Sequence, residues 1–288
     1  DHVVGTTILG GIFYVLFALA IKLQPKVLKI FTPYILNLAV FMIAVNLIGT
    51  GVGLVMAAPV TGIVTIIGIA LFSQFKHTKQ FMFPLGILAG TLVHGLMYGL
   101  TSTVSGVFIP TFVSPAFNTT TFVASLIFFA LATEALGDSK LAADVTGNKY
   151  EPDKVILGNG VASIVAGLFG GMSVTTYSES CAYVRATGFA HPLAIVVAGI
   201  LFIIMSFIPA VNYVIGFIPG AALAGMLLYL FSLVAMSKIS ETKAKDDNEL
   251  LVGILGLAAF FLAPQLIPSV SQIAVGMITM IVAHLVLQ

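Results

Sequence analysis

Apolar and polar positions along the 288-residue chain fall into long blocks rather than alternating. Ten nearly unbroken apolar runs occupy residues 3–21, 32–55, 59–75, 81–100, 121–139, 155–171, 191–213, 214–236, 249–265 and 267–287. A helix that crosses a bilayer needs about 20 apolar residues, or about 17 to 25. Each run therefore predicts a membrane helix, and the lack of period-two alternation excludes a strand-type barrel. The stretch Ser173 to Ser180, SVTTYSES, interrupts this regime. It predicts an eleventh crossing at 172–184, too short for a full helix: a short β-branched strand running into a half-helix from about Tyr177. A polar crossing of that kind is tolerated only where it is buried in protein or lines an aqueous cavity. Broken helices build mid-membrane sites in this way, their positive N-terminal ends facing a solute. The other reading of the segment is one strongly tilted helix packed in the bundle.

Composition supports the same class. Hydrophobic residues make up 59% of the chain, charged residues 8%, and the mean hydropathy is +1.13. Soluble domains carry about 25% charged residues. The fold class is thus an all-α polytopic membrane protein whose surroundings are a lipid bilayer. The net charge of +1 comes with no basic patch, which excludes a nucleic-acid partner. The single cysteine, Cys181, excludes an intrachain disulfide framework. The first residue is Asp1 rather than Met and no signal peptide follows, so the natural start is expected upstream.

The twelve Lys and Arg residues form five clusters, each separated from the next by two crossings. All of them then lie on one side, provided 172–184 does cross. The positive-inside rule makes that side, and the C-terminus, cytoplasmic, as in a plasma (inner) membrane protein.

Of eleven acidic residues, most belong to hydrophilic loops, Asp144, Glu151 and Asp153 among them. Glu134, Asp138 and Glu179 do not. An ionisable group inside a span costs several kcal/mol unless paired or hydrated, so these three are candidate functional residues. Glu134 and Asp138 are four apart and share a helix face. Glu134 lies six residues before Lys140, and Glu179 six before Arg185. At about 1.5 Å per residue, both carboxylates sit roughly 9 Å inside the cytoplasmic edge. Two such groups in one dry cavity raise each other's pKa and call for a proton or a hydrogen-bonding ligand. The rival reading is that neighbouring hydroxyls cap Glu134 and Glu179, which then serve packing alone.

Weaker signals change little. His94 reads as a structural histidine ahead of a proton relay. Asn118-Thr119-Thr120 forms a glycosylation triplet on the outer side. The stretch ALGDSK has a likeness to intramembrane aspartyl proteases, but Ala135 occupies a glycine position and no second mid-span Asp is present, so no enzyme is expected. No metal-ligand cluster or phosphate-binding Gly loop appears, and no cofactor is expected.

The segments TEALGDSKLAADVTG, GNGVASIVAGLFGG and SVTTYSES, in that order and spacing, resemble the nucleobase–ascorbate transporter family of uracil and xanthine permeases. The later stretch FIPGAALAGMLLYLF is similar to that family's twelfth span. The resemblance implies a transporter of fourteen spans in two inverted repeats of seven, with this chain matching spans 4–14 and the first three absent. It implies a core domain at 1–30 and 119–213, and a gate domain at 31–118 and 214–288. By the same resemblance Glu134 and Glu179 hydrogen-bond the base, Ser178 offers its backbone N–H, Tyr177 joins the site and Asp138 couples protons. Glu179 matches the uracil-type signature and Asp138 the xanthine-type one, which leaves the base open. Ser180 and Ala182 stand where many members have Asn and Gly. The implied function is import of uracil, xanthine or a related purine by symport with H⁺ or Na⁺, through elevator-like movement of a homodimer. The alternatives are an anion transporter of sulfate-permease type, which the mid-span acids oppose, and a non-transporting fragment or scaffold.

Overall fold

The computed structural model describes residues 1–102, 112–177, 180 and 191–287. Each of the ten apolar runs carries helix: α1 (His2–Leu23), α2 (Pro33–Val55), α3 (Pro59–Gln74), α4 (Met82–Tyr98), α5 (Thr119–Ser125), α6 (Ile127–Thr146), α7 (Pro152–Leu168), α8 (Pro192–Ser206), α9 (Pro209–Ile215), α10 (Gly220–Glu241), α11 (Asp247–Leu266) and α12 (Gln272–Leu287). Six helical segments among the described residues are long and apolar enough to cross a bilayer, and α8 with α9 gives a seventh if the bent pair is one span. At 16 residues each, α3 and α12 are shorter apolar helices.

Several element boundaries differ from the sequence expectation, the split of 121–139 into α5 and α6 at Leu126 among them, and three others have an evident local cause. The run 191–213 is two helices, α8 and α9, at 99° to one another. Pro209 opens α9, and Asn212 Nδ2 donates to the Ser206 carbonyl (2.8 Å), replacing a backbone donor lost at the break. The next run begins late, at Gly220 rather than 214, because Gly216 and Phe217 form a turn; it then continues to Glu241, which pairs with Lys238 at 3.1 Å. Finally α6 continues through Asp144 to Thr146, where a loop was expected. Its stop is Gly147, whose φ of 71° ends the helix in the left-handed conformation. A lysine on the sequence is thus no helix terminator; glycine is.

The chain divides into two compact units, Asp1–Ile43 with Pro110–Arg185 and Ala235–Gln288, and Ala44–Ile109 with Ala186–Val234. In the first unit α1 packs along α7, and α6 lies against both. Gly11 and Gly160 make this crossing possible: a Cβ on Gly160 would come to 2.8 Å from the Gly11 carbonyl oxygen. Around the crossing, Tyr14, Ala18 and Ile21 of α1, Phe128 and Leu136 of α6 and Ile156 of α7 form a buried cluster. The α11 and α12 helices pack as a pair in the same unit. Asp246 caps α11 by accepting from Glu249 N at 2.7 Å. In the second unit α3 packs against α4, with the buried threonines Thr61 and Thr65 in the seam.

Past α7 the chain reverses sharply. Gly170 N–H donates to the Gly167 carbonyl (3.0 Å) and Gly171 N–H to that of Ala166 (2.8 Å), with Gly170 at a φ of 76°. This paired pattern ends a helix with a left-handed glycine. Residues 171–177 then run back beside α7 without regular structure. No strand is found among the described residues, so the short strand expected here has no β-partner; a side chain of α7 takes that place, as described next. The half-helix was expected from about Tyr177; Tyr177 is not helical, and of 178–184 only Ser180 is described.

Candidate functional site

The residues that carry chemistry gather where α6, α7, α1 and the 171–177 segment meet. On α6, Thr133, Glu134, Asp138 and Ser139 are all buried, the two acids at 5% exposure each. The hydroxyls are satisfied on their own helix: Thr133 Oγ1 donates to the Phe129 carbonyl and Ser139 Oγ to that of Leu136, both at 2.8 Å. Carboxylates have no hydrogen to donate and cannot close such a loop. Glu134 and Asp138 each have an interaction within the chain.

The partner that sequence reasoning missed is Tyr14. It is fully buried on α1, and its hydroxyl donates to Thr175 Oγ1 at 3.0 Å, across 161 residues of chain. Its ring packs edge-on against Phe128 of α6, centroids 5.5 Å apart. The phenol lies within electrostatic reach of Glu134, Asp138 and Tyr177. A buried tyrosine hydroxyl normally finds a partner, so a single Tyr inside the apolar run of α1 was the available signal.

Ser163 is the second omission. Its Oγ accepts from Val174 N (2.9 Å) and donates to Val174 O (3.0 Å), satisfying both backbone groups of a residue in the non-helical segment. Buried backbone groups must be paired. Here one serine does what a neighbouring strand would do, and with Tyr14 it pins 171–177 to two helices.

Of the residues expected at the site, Glu134 and Asp138 are buried on α6 within electrostatic range of Tyr14, as is Tyr177, which is 52% exposed. Ser178 and Glu179 lie outside the described residues, as do Cys181 and Ala182. Leu136, Ser139 and Ala143 of α6 line a cavity of about 500 Å³ with Phe31, Lys149 and Tyr150. Beside it Glu151 and Lys154 form an exposed ion pair at 2.7 Å, which holds the Lys154 ammonium above its ordinary pKa. Among the described residues no group of three metal-ligating side chains occurs.

Two minor signals have local partners. His94 Nδ1 lies 3.0 Å from Thr61 Oγ1, and its ring packs on Tyr98. Asn118 caps α5, with Oδ1 accepting from Thr121 N (2.9 Å) while Thr121 Oγ1 accepts from Asn118 N (2.8 Å).

Residues 1–264 match the model of the Permease family, xanthine–uracil permease type. The putative pyrimidine permease RutG of Escherichia coli (strain K12) is 27% identical over 256 residues, covering 81% of this chain and 58% of that protein. A putative purine permease of Clostridium perfringens (strain 13 / Type A) is 33% identical over 132 residues, 44% of this chain and 27% of the relative. The uracil permease of Bacillus caldolyticus is 26% identical over 258 residues, 80% of this chain and 60% of the relative. The chain spans less than two thirds of the length of each of these three relatives.

Proposed function

The chain belongs to the Permease family of xanthine–uracil type, and on that premise we propose that it serves a secondary active transporter importing a nucleobase, uracil, xanthine or a related purine. Its relatives are named as pyrimidine, purine and uracil permeases, transporters rather than enzymes. The observation that carries the reading within the chain is the pair of acids on α6, Glu134 and Asp138, buried beside the Tyr14–Thr175 hydrogen bond. An oxopurine or pyrimidinedione presents N–H donors next to carbonyl acceptors. Glu134 accepts from an N–H of the base and Glu179 from a second. The Ser178 backbone N–H donates to a carbonyl, and Tyr177 closes the edge of the site.

Asp138, one turn from Glu134, exchanges the coupling ion, H⁺ in preference to Na⁺. A protonated acid is far cheaper to carry through a bilayer than a carboxylate, which gives symport its physical basis. The core, 1–30 and 119–213, moves against the gate, 31–118 and 214–288, in a homodimer of the plasma (inner) membrane with its Lys/Arg loops inside. Uptake of labelled uracil and xanthine by cells carrying the full-length protein tests the assignment. Glu134→Gln is expected to abolish saturable uptake at unchanged membrane abundance; normal uptake by that variant overturns it.

A further inference from the structure

Asn159 Nδ2 on α7 and Thr176 Oγ1 in the 171–177 segment are buried in the first unit and have no hydrogen-bond partner among the described residues. Asn159 is only 8% exposed. A buried amide donor left unmade is costly, and such groups in a folded chain normally have a purpose. Their positions follow from contacts already described. Ser163 bonds both backbone groups of Val174, and the chain reverses at Gly170, so the segment runs antiparallel to α7. Asn159 lies four residues before Ser163, about 6 Å along the helix. Thr176 lies two residues after Val174, about 6.6 Å along an extended chain. The two unpartnered atoms therefore reach the same level of the pair, yet are not bonded to each other.

The same level is that of the acids. Ile156 of α7 packs with Ala135 and Leu136 of α6 in one cluster. The two helices are successive and run in opposite senses. Three residues beyond Ile156 brings Asn159 about 4.5 Å toward the start of α6, and Glu134 lies about 3 Å that way from Leu136. Gly160, next to Asn159, abuts Tyr14, whose hydroxyl holds Thr175, the neighbour of Thr176.

We infer that Asn159 and Thr176 form a carbonyl-binding subsite beside Glu134, and that they set preference for oxo-substituted bases. The inference rests on the nucleobase reading given above. Asn159 Nδ2 can only donate, so its natural partner is a carbonyl oxygen; Thr176 Oγ1 can donate to the same atom. A base held by Glu134 through an N–H places the adjoining carbonyl one bond away. An exocyclic amino group there would face Asn159 Nδ2 donor to donor, with only the Thr176 hydroxyl able to accept from it.

The test uses the full-length protein purified in detergent and equilibrium binding of three pyrimidines: uracil, pyrimidin-2-one and pyrimidin-4-one, each of the latter lacking one carbonyl. Xanthine, hypoxanthine and 2-hydroxypurine form the parallel set for a purine-preferring protein. Asn159→Leu is expected to weaken the dioxo base about tenfold, while leaving one mono-oxo analogue unchanged, so that discrimination between them collapses. Thr176→Val, which keeps shape and removes only the hydroxyl, is expected to act in the same direction and serves if Asn159→Leu does not fold. Equal weakening of all three ligands marks a structural role and overturns the subsite. Wild-type binding retained within twofold in both variants overturns it as well. Absence of binding by the wild type, with either set, instead removes the nucleobase reading on which it stands.

Discussion

Two seams of buried polar residues, one in each unit, behave differently. Between α3 and α4, Thr65 Oγ1 donates to the Thr61 carbonyl (3.0 Å) and Thr61 Oγ1 meets His94 Nδ1. Small residues line that seam: a Cβ on Gly68 would lie 3.3 Å from Gly86 Cα. Apart from Thr91 Oγ1, its polar groups are closed by local partners. Between α1, α6, α7 and residues 171–177 the polar groups include two carboxylates, and the hydrogen bonds join distant parts of the chain. A hydroxyl that bonds its own helix lets two helices pack; an acid cannot, and must be answered by a donor, a proton or a solute. The first seam is for packing. The second holds the candidate site.

Asp138→Asn should separate the seams most sharply. pH-driven accumulation is expected to fall more than about tenfold, with base binding retained, in a comparison of uptake against an imposed proton gradient and equilibrium binding. Binding lost together with accumulation would move Asp138 from coupling to ligand contact. Gly160→Leu is the largest expected stability effect, about 3 kcal/mol, since the new side chain meets the Gly11 backbone. Thermal unfolding in detergent reads it, and an unchanged midpoint would mean α1 and α7 do not approach as described. Tyr14→Phe removes one hydroxyl at constant shape. About 1 kcal/mol of stability should go, and Thr175→Val should add little on top, because each removes the same bond. Smallest of all, His94→Gln in the α3–α4 seam is expected to cost less than about 1 kcal/mol and to leave uptake unchanged. Loss of transport in that variant would make the two seams alike.

The sharpest contrasts between expectation and structure come from particular residues. Glu134 and Asp138 were legible because burial of an acid in an apolar run is unusual on sequence grounds alone, and a spacing of four fixes a shared helix face. Tyr14 was not, because a tyrosine in a hydrophobic run carries no mark of where its hydroxyl goes. The bend between α8 and α9 was masked by continuous hydrophobicity, although Pro209 stood in plain view. The end of α6 was misplaced because Lys140 drew the boundary that Gly147 imposes.

Membrane class, helical content and the presence of two buried acids on α6 could be read directly from the chain, because solvent preference and helical period are local properties of a sequence. The partners of Tyr14 and Ser163, and the shared level of Asn159, Thr176 and Glu134, came only with the packed helices. Those contacts join residues far apart in the sequence, and their distances depend on how closely α1, α6 and α7 approach, which no local pattern encodes.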